Sequence, residues 1–164
     1  MRRRTLLPTL ALLFPRAACG DDPAGPSAPS IRGTYAGTWT FTLTDIASGQ
    51  SATGICPGSV TIASQSGSSF SGSFLIQPAP GCEGESGSVS GTVRPDGGVT
   101  VSFDVPGGSS NDWEDLFGCV VTSADQFFTG LLAGTTLTVS ASANLNCQGF
   151  PVRLLARFTG TRAG

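Results

Sequence analysis

The sequence predicts an all-β fold: an antiparallel up-and-down β-barrel of about eight strands with one short helix, a two-sheet β-sandwich being the alternative. Three observations predict it. Apolar and small polar residues alternate with period two in seven separate stretches, the pattern of a sheet with one buried and one wetted face. Glycine-bearing turn sequences separate the stretches and suit tight antiparallel hairpins. A motif of the form bulky-small-Gly-x-bulky recurs along the chain, and glycine between two bulky inward residues lets a strand bend toward closure.

Before the strands comes a leader. Arg2-Arg3-Arg4, the apolar stretch Leu6 to Phe14 and Arg16-Ala17-Ala18 have the order of a secretory signal, too short to span a bilayer. At Ala17-Ala18-Cys19-Gly20 the chain resembles the lipobox of bacterial lipoproteins, although Arg16 stands where an aliphatic residue is usual. The resemblance implies cleavage before Cys19, acylation of that cysteine and stable anchoring in the cell envelope. Residues 1–18 are thus read as a signal peptide and 19–30, with three prolines and no large apolar side chain before Ile31, as an extended tether. Residues 31–164 form one domain, of a size that buries a single core.

Within the domain the first strand sets Tyr35, Gly37, Trp39, Phe41 and Leu43 against Ala36, Thr38, Thr40, Thr42 and Thr44. Alternation returns at Val60–Ile62, Phe70–Ile76, Val89–Val93, Val99–Val105, Leu137–Val139 and Val152–Phe158. Turns are expected at Gln65-Ser66-Gly67, at Pro95-Asp96-Gly97-Gly98 and at Ala133-Gly134. The glycine motif occupies Tyr35–Trp39, Phe70–Phe74, Val89–Val93 and Phe128–Leu132, with a truncated copy at Phe158-Thr159-Gly160. Its uneven spacing excludes a solenoid or propeller. Phe127 and Phe128 cannot both point inward from a regular strand. Asn111–Phe117, with a capping residue at Asn111, Glu114 three residues later and Trp113, Leu116 and Phe117 at helical spacing, predicts a helix of one or two turns that plugs one end of the sheet. The Gly37-Thr38-Trp39 start, the hairpin order and the length make residues 31–162 resemble the up-and-down barrels of the avidin and lipocalin group in architecture, without their ligand-contact motifs.

Setting Cys19 aside leaves Cys56, Cys82, Cys119 and Cys147, an even set suited to an oxidising compartment. Three pairings are open to four cysteines. Hairpin geometry favours Cys119–Cys147, centred on the Ala133-Gly134 turn, and Cys56–Cys82, centred near Ser66-Gly67. Loops of this length contribute about 3.5 kcal/mol each on the chain-entropy account.

Composition narrows the function. The chain holds no histidine, and all nine of its basic residues are arginine, so the commonest general bases, metal ligands and Schiff-base formers are missing. Beyond residue 18, five arginines face eleven acids, a formal charge of −6 that opposes nucleic-acid binding. No Gly-x-Ser-x-Gly elbow is present. Glu83 and Glu85, or Asp112, Glu114 and Asp115, nominally supply the carboxyl pair of a glycan hydrolase, yet carboxylates so close in sequence are ordinarily solvated. Cysteine spacing does not suit zinc. No metal, cofactor or catalytic residue is expected. Tyr35, Trp39, Phe41, Phe70, Phe74, Phe103 and Trp113 are the candidate lining of an apolar pocket, with simple filling of the barrel as the rival role. The expectation is a non-catalytic, membrane-anchored envelope protein that binds a small apolar ligand or an envelope protein at the open end of its barrel, or else a purely structural one.

Overall fold

The computed structural model describes residues 27–105 and 119–163. Nine strands follow one another: β1 Gly33–Asp45, β2 Ser51–Ser66, β3 Ser69–Ile76, β4 Glu85–Val93, β5 Gly98–Asp104, β6 Cys119–Ala124, β7 Phe128–Ala133, β8 Thr136–Cys147 and β9 Phe150–Arg162. All pairings are antiparallel, in the order β6-β8-β7-β5-β4-β3-β2-β1-β9, and β9 also pairs with β8. The last contact closes an eight-stranded barrel. The sandwich is thereby excluded. The expected helix at Asn111–Phe117, the leader and Cys19 lie outside the described residues.

The ninth strand is a surplus with a physical origin. β6 pairs with the far half of β8 and β7 with the near half, so the two share one stave broken at Asp125–Phe127. The break resolves the double phenylalanine: Phe128 turns inward against the core, while Phe127 is left 48% exposed in the bend. A bulge between Val121 and Ser123 adds another residue to the same stave, as bulges do where a barrel wall must bend.

The first half of β2 was invisible to pattern reading because Ser51–Gly58 has no alternation and contains Pro57. Pairing explains it. Ser51 to Gly58 bond β1 along their length, whereas β3 joins only from Gly58 onward. The Pro57 carbonyl accepts from Gln77 N just past the end of β3. Its missing N–H would face that same side, where the partner strand has stopped.

Inward side chains build one core around Trp39. Its ring lies 5.0 Å from Phe158, 5.1 Å from Phe103, 5.8 Å from Phe74 and 6.4 Å from Phe128, mostly edge-on or tilted, while Phe41 stacks on it at 6.4 Å. Such arrangements suit the ring quadrupoles. Glycines make the room: a Cβ at Gly91 would stand 2.7 Å from Phe70 Cζ, and one at Gly58 would stand 2.9 Å from Trp39 Nε1. The outward parity carries hydroxyl ladders, among them Thr34 with Thr61, Thr42 with Thr53 and Ser64 with Ser71. These are cross-strand pairs on a solvated face. The turns at Gly67 and Gly134 have φ of 58° and 61°, the left-handed region glycine enters at least cost.

Both disulfides pair as expected, Cys56 with Cys82 and Cys119 with Cys147. Cys119 and Cys147 face each other directly in the β6–β8 register. Cys82 lies beyond β3, in the loop before β4, and draws that loop against β2.

Candidate functional site

Up-and-down order gives the barrel two unlike ends. The Gly67, Gly97 and Gly134 turns, the chain entry at Gly33 and the exit at Arg162 lie at one end. The residues ahead of β1 plug it. Ile31 is fully buried; its N–H donates to Gln65 Oε1 at 2.9 Å, and Gln65 Nε2 donates back to the Pro29 carbonyl at 3.0 Å. Tyr35 Oη donates to the Ile31 carbonyl at 2.9 Å. The Arg162 guanidinium covers the Tyr35 ring at 5.7 Å and donates to the carbonyls of Ser30 and Arg32. Burial pushes the Tyr35 phenol up, with the Arg162 charge opposing. The tether, read as extended to residue 30, is therefore held to the domain at Pro29 and Ser30, and Ala28 already packs on the core.

The other end carries no such stopper among the described residues and is termed the open end. β1, β2, β6, β8 and β9 run past the rest of the wall, and beneath this lip lies a recess of about 350 Å³. Leu43, Ala52, Leu145, Val152 and the Cys119–Cys147 disulfide line it, with Asp45, Gln50 and Ser51 at the rim. Alternation puts Leu43 and Val152 on the inward parity of β1 and β9, which are in register at Asp45 and Val152. The rim is built by local chemistry: Asp45 Oδ1 accepts from Ala47 N at 2.7 Å and Ser48 N at 3.0 Å, and Gly49 N donates to the Asp45 carbonyl at 2.8 Å. The Ser48 and then the Ala47 N–H hold the Asp45 carboxyl below its ordinary range. Ile46 N donates to the Pro151 carbonyl at 3.0 Å, tying this turn to β9. Two large apolar side chains, Ile46 and Phe150, project at the tips with 54% and 65% exposure.

The sequence candidates sit below this recess rather than around it. Tyr35, Trp39, Phe70 and Phe74 are buried in the core, and Phe41 and Phe103 pack against it half-buried. None of the six lines the recess. Trp113 lies outside the described residues. Trp39 Nε1 is buried and finds no acceptor among the described residues. The true lining was legible only in part: Leu43 and Val152 belong to alternating runs, whereas Ala52 and Leu145 lie in segments whose strand character the pattern did not show.

Of the acids considered for glycan chemistry, Glu83 is exposed in the loop after β3 and Glu85 opens β4; Asp112, Glu114 and Asp115 fall outside the described residues. No group of three His, Cys, Asp or Glu side chains suited to a metal ion occurs among the described residues. No family model, curated protein or solved structure matches the chain.

Proposed function

We propose that the protein is a non-catalytic, lipid-anchored envelope protein whose barrel takes a small apolar ligand through its open end. The observation that carries this reading is the placement of an apolar recess at the end opposite the tether. An anchor at Cys19 would hold the plugged end toward the membrane and turn the mouth away from it, open to ligand. Below the recess the aromatic core leaves the ligand a shallow seat at the mouth in place of a deep cavity. That same filling favours the rival, a structural surface lipoprotein with no ligand.

The two readings part on one measurement. Native mass spectrometry of protein purified from its own host is expected to show a co-purifying small mass, lost in the Ala52→Trp variant, whose indole would occupy the recess. An unliganded mass in both proteins supports the structural rival. The anchor is tested separately: the protein is expected in the membrane fraction, and Cys19→Ser is expected to release it. Two disulfides fit an oxidising compartment, in keeping with export.

A further inference from the structure

We propose that the protein pairs with a second copy of itself through the overhanging edge of β2, the two Ser51–Ile55 segments running antiparallel about a two-fold axis at Thr53. The inference goes beyond the ligand-binding reading and does not rest on it. A free backbone edge and the absence of charge along it carry the pairing.

The edge follows from the phase of the β1–β2 ladder. Asp45 N donates to the Gln50 carbonyl at 2.9 Å; with Leu43 facing Ala52, Phe41 facing Gly54 and Trp39 facing Cys56, it is Ala52, Gly54 and Cys56 that exchange bonds with β1, as antiparallel pairs alternate. Ser51, Thr53 and Ile55 turn their N–H and C=O groups the other way. On that side β3 reaches β2 only at Gly58. Beyond it the Pro57 carbonyl is taken by Gln77 N, and the Ile55 carbonyl faces Cys82 Sγ at 3.4 Å. The Ser51 and Thr53 groups and the Ile55 N–H meet no backbone partner among the described residues. Ser51 to Ile55 are all exposed. Backbone groups left unpaired along a strand held extended by its neighbour fit one kind of partner, another extended strand.

Proteins ordinarily blunt such an edge with charge, proline or a bulge. Pro57 and the loop held by the Cys56–Cys82 disulfide shield the lower part of this one. Ser51–Ile55 has no proline and keeps an unbroken register with β1. From Ile46 to Gly58 the chain carries no Asp, Glu, Lys or Arg. About a two-fold axis each residue near the axis meets its own copy, and like charges placed opposite one another repel. A stretch without charge therefore suits self-pairing. At the axis the two Thr53 residues would exchange both their bonds, and each Ile55 N–H would reach the Ser51 carbonyl of the other copy. The facing Thr53 side chains would extend the hydroxyl pair that Thr42 and Thr53 make at 3.1 Å, and Ile55, 63% exposed, would gain a strand beside it.

The contact is small, so a dissociation constant on the order of 0.1 mM is expected. Sedimentation of the chain with Cys19→Ser, from about 10 µM to about 1 mM, is expected to show the mass rising from monomer toward dimer. Hydrogen exchange at the Thr53 and Ile55 amides should slow over the same range. Thr53→Pro deletes the bonding N–H at the axis, in the phase where the strand already accepts Pro57, and is expected to stay monomeric. Thr53→Lys and Thr53→Glu each set a charge against its own copy and are expected to weaken pairing roughly fivefold at low salt, whereas their equimolar mixture pairs at least as tightly as the parent. A chain that is monomeric throughout, Thr53 and Ile55 amides already protected at the lowest concentration, a dimer that persists in Thr53→Pro, or a mixture no tighter than its components would each overturn the inference.

Discussion

The two ends of the barrel are made from the same strands and differ in what fills them. At the plugged end the backbone before β1 folds back as a stopper, and its carbonyls and N–H groups meet Gln65, Tyr35 and Arg162. At the open end the strands of the lip outrun their neighbours, leaving an apolar recess and two exposed hydrophobic tips. One end satisfies its own polar groups and buries its rings; the other, among the described residues, leaves apolar surface uncovered. Stability is expected to reside at the first and binding at the second.

The sharpest way to break that division is a pair of alanine variants read by urea unfolding. Tyr35→Ala removes a fully buried ring and its hydrogen bond to the stopper, and is expected to cost about 3–5 kcal/mol. Phe150→Ala at the opposite tip is expected to fall within about 0.5 kcal/mol of the parent. Equal losses would mean that the tip is structural and the contrast between ends false.

Disulfide removal comes next. Replacing Cys119 and Cys147 together by alanine is expected to cost about 2–4 kcal/mol. The two cysteines lie where β6 meets the end of β8, so hydrogen exchange should quicken at the lip first while the Ile31 amide stays protected. A Gln65→Ala variant should do the reverse, at about 1–2 kcal/mol for the lost bonds to Ile31 N and Pro29 O. Its Ile31 amide should exchange freely and its recess should be unchanged. If both variants loosen both ends alike, the barrel opens as one unit and has no separable mouth.

These contrasts also show what could be read before any coordinates. The barrel was legible because Tyr35 to Thr44 and Val99 to Val105 alternate cleanly and because glycines recur on the inward parity, so closure followed from period and bend. Both disulfides were legible, but the Cys119–Cys147 register was not simple. A hairpin centred on Ala133-Gly134 reaches Cys147 from Cys119 only because the break at Asp125–Phe127 and the bulge after Val121 absorb a slip. The lip was hidden for a different reason. Ser51–Gly58 and the far half of β8, Ser140 to Asn146, are rich in small and polar residues, since strands that overhang a barrel have little core to face. The part of the recess formed from those segments, Ala52 and Leu145, was therefore outside the reach of hydrophobic patterning, and the aromatics that stood out within the described residues were the ones already used to fill the interior.

The smallest expected effect is electrostatic, and its sign follows from two carboxylates placed toward opposite ends. At the plugged end the Arg94 side chain, and then the Gly98 N–H, hold Asp96 below its ordinary range. Toward the open end the Ser142 N–H at 2.7 Å and hydroxyl at 3.0 Å do the same for Asp125. A carboxyl more acidic in the folded chain than in the unfolded one favours folding above its unfolded value, near pH 4, and loses that contribution as pH falls through the folded value. In Asp96→Asn and Asp125→Asn the group no longer titrates. The parent is therefore expected to melt above each variant at pH 7, with the gap closing as the buffer is taken from about pH 5 toward pH 2. Comparing each variant with the parent at the same pH cancels the mutual repulsion of the acids at the open end, which protonation relieves in both proteins. A gap that stays constant across that range would show that neither carboxylate is held by its partners, and that the bonds drawn to Arg94 and Ser142 contribute nothing to the charge state at either end.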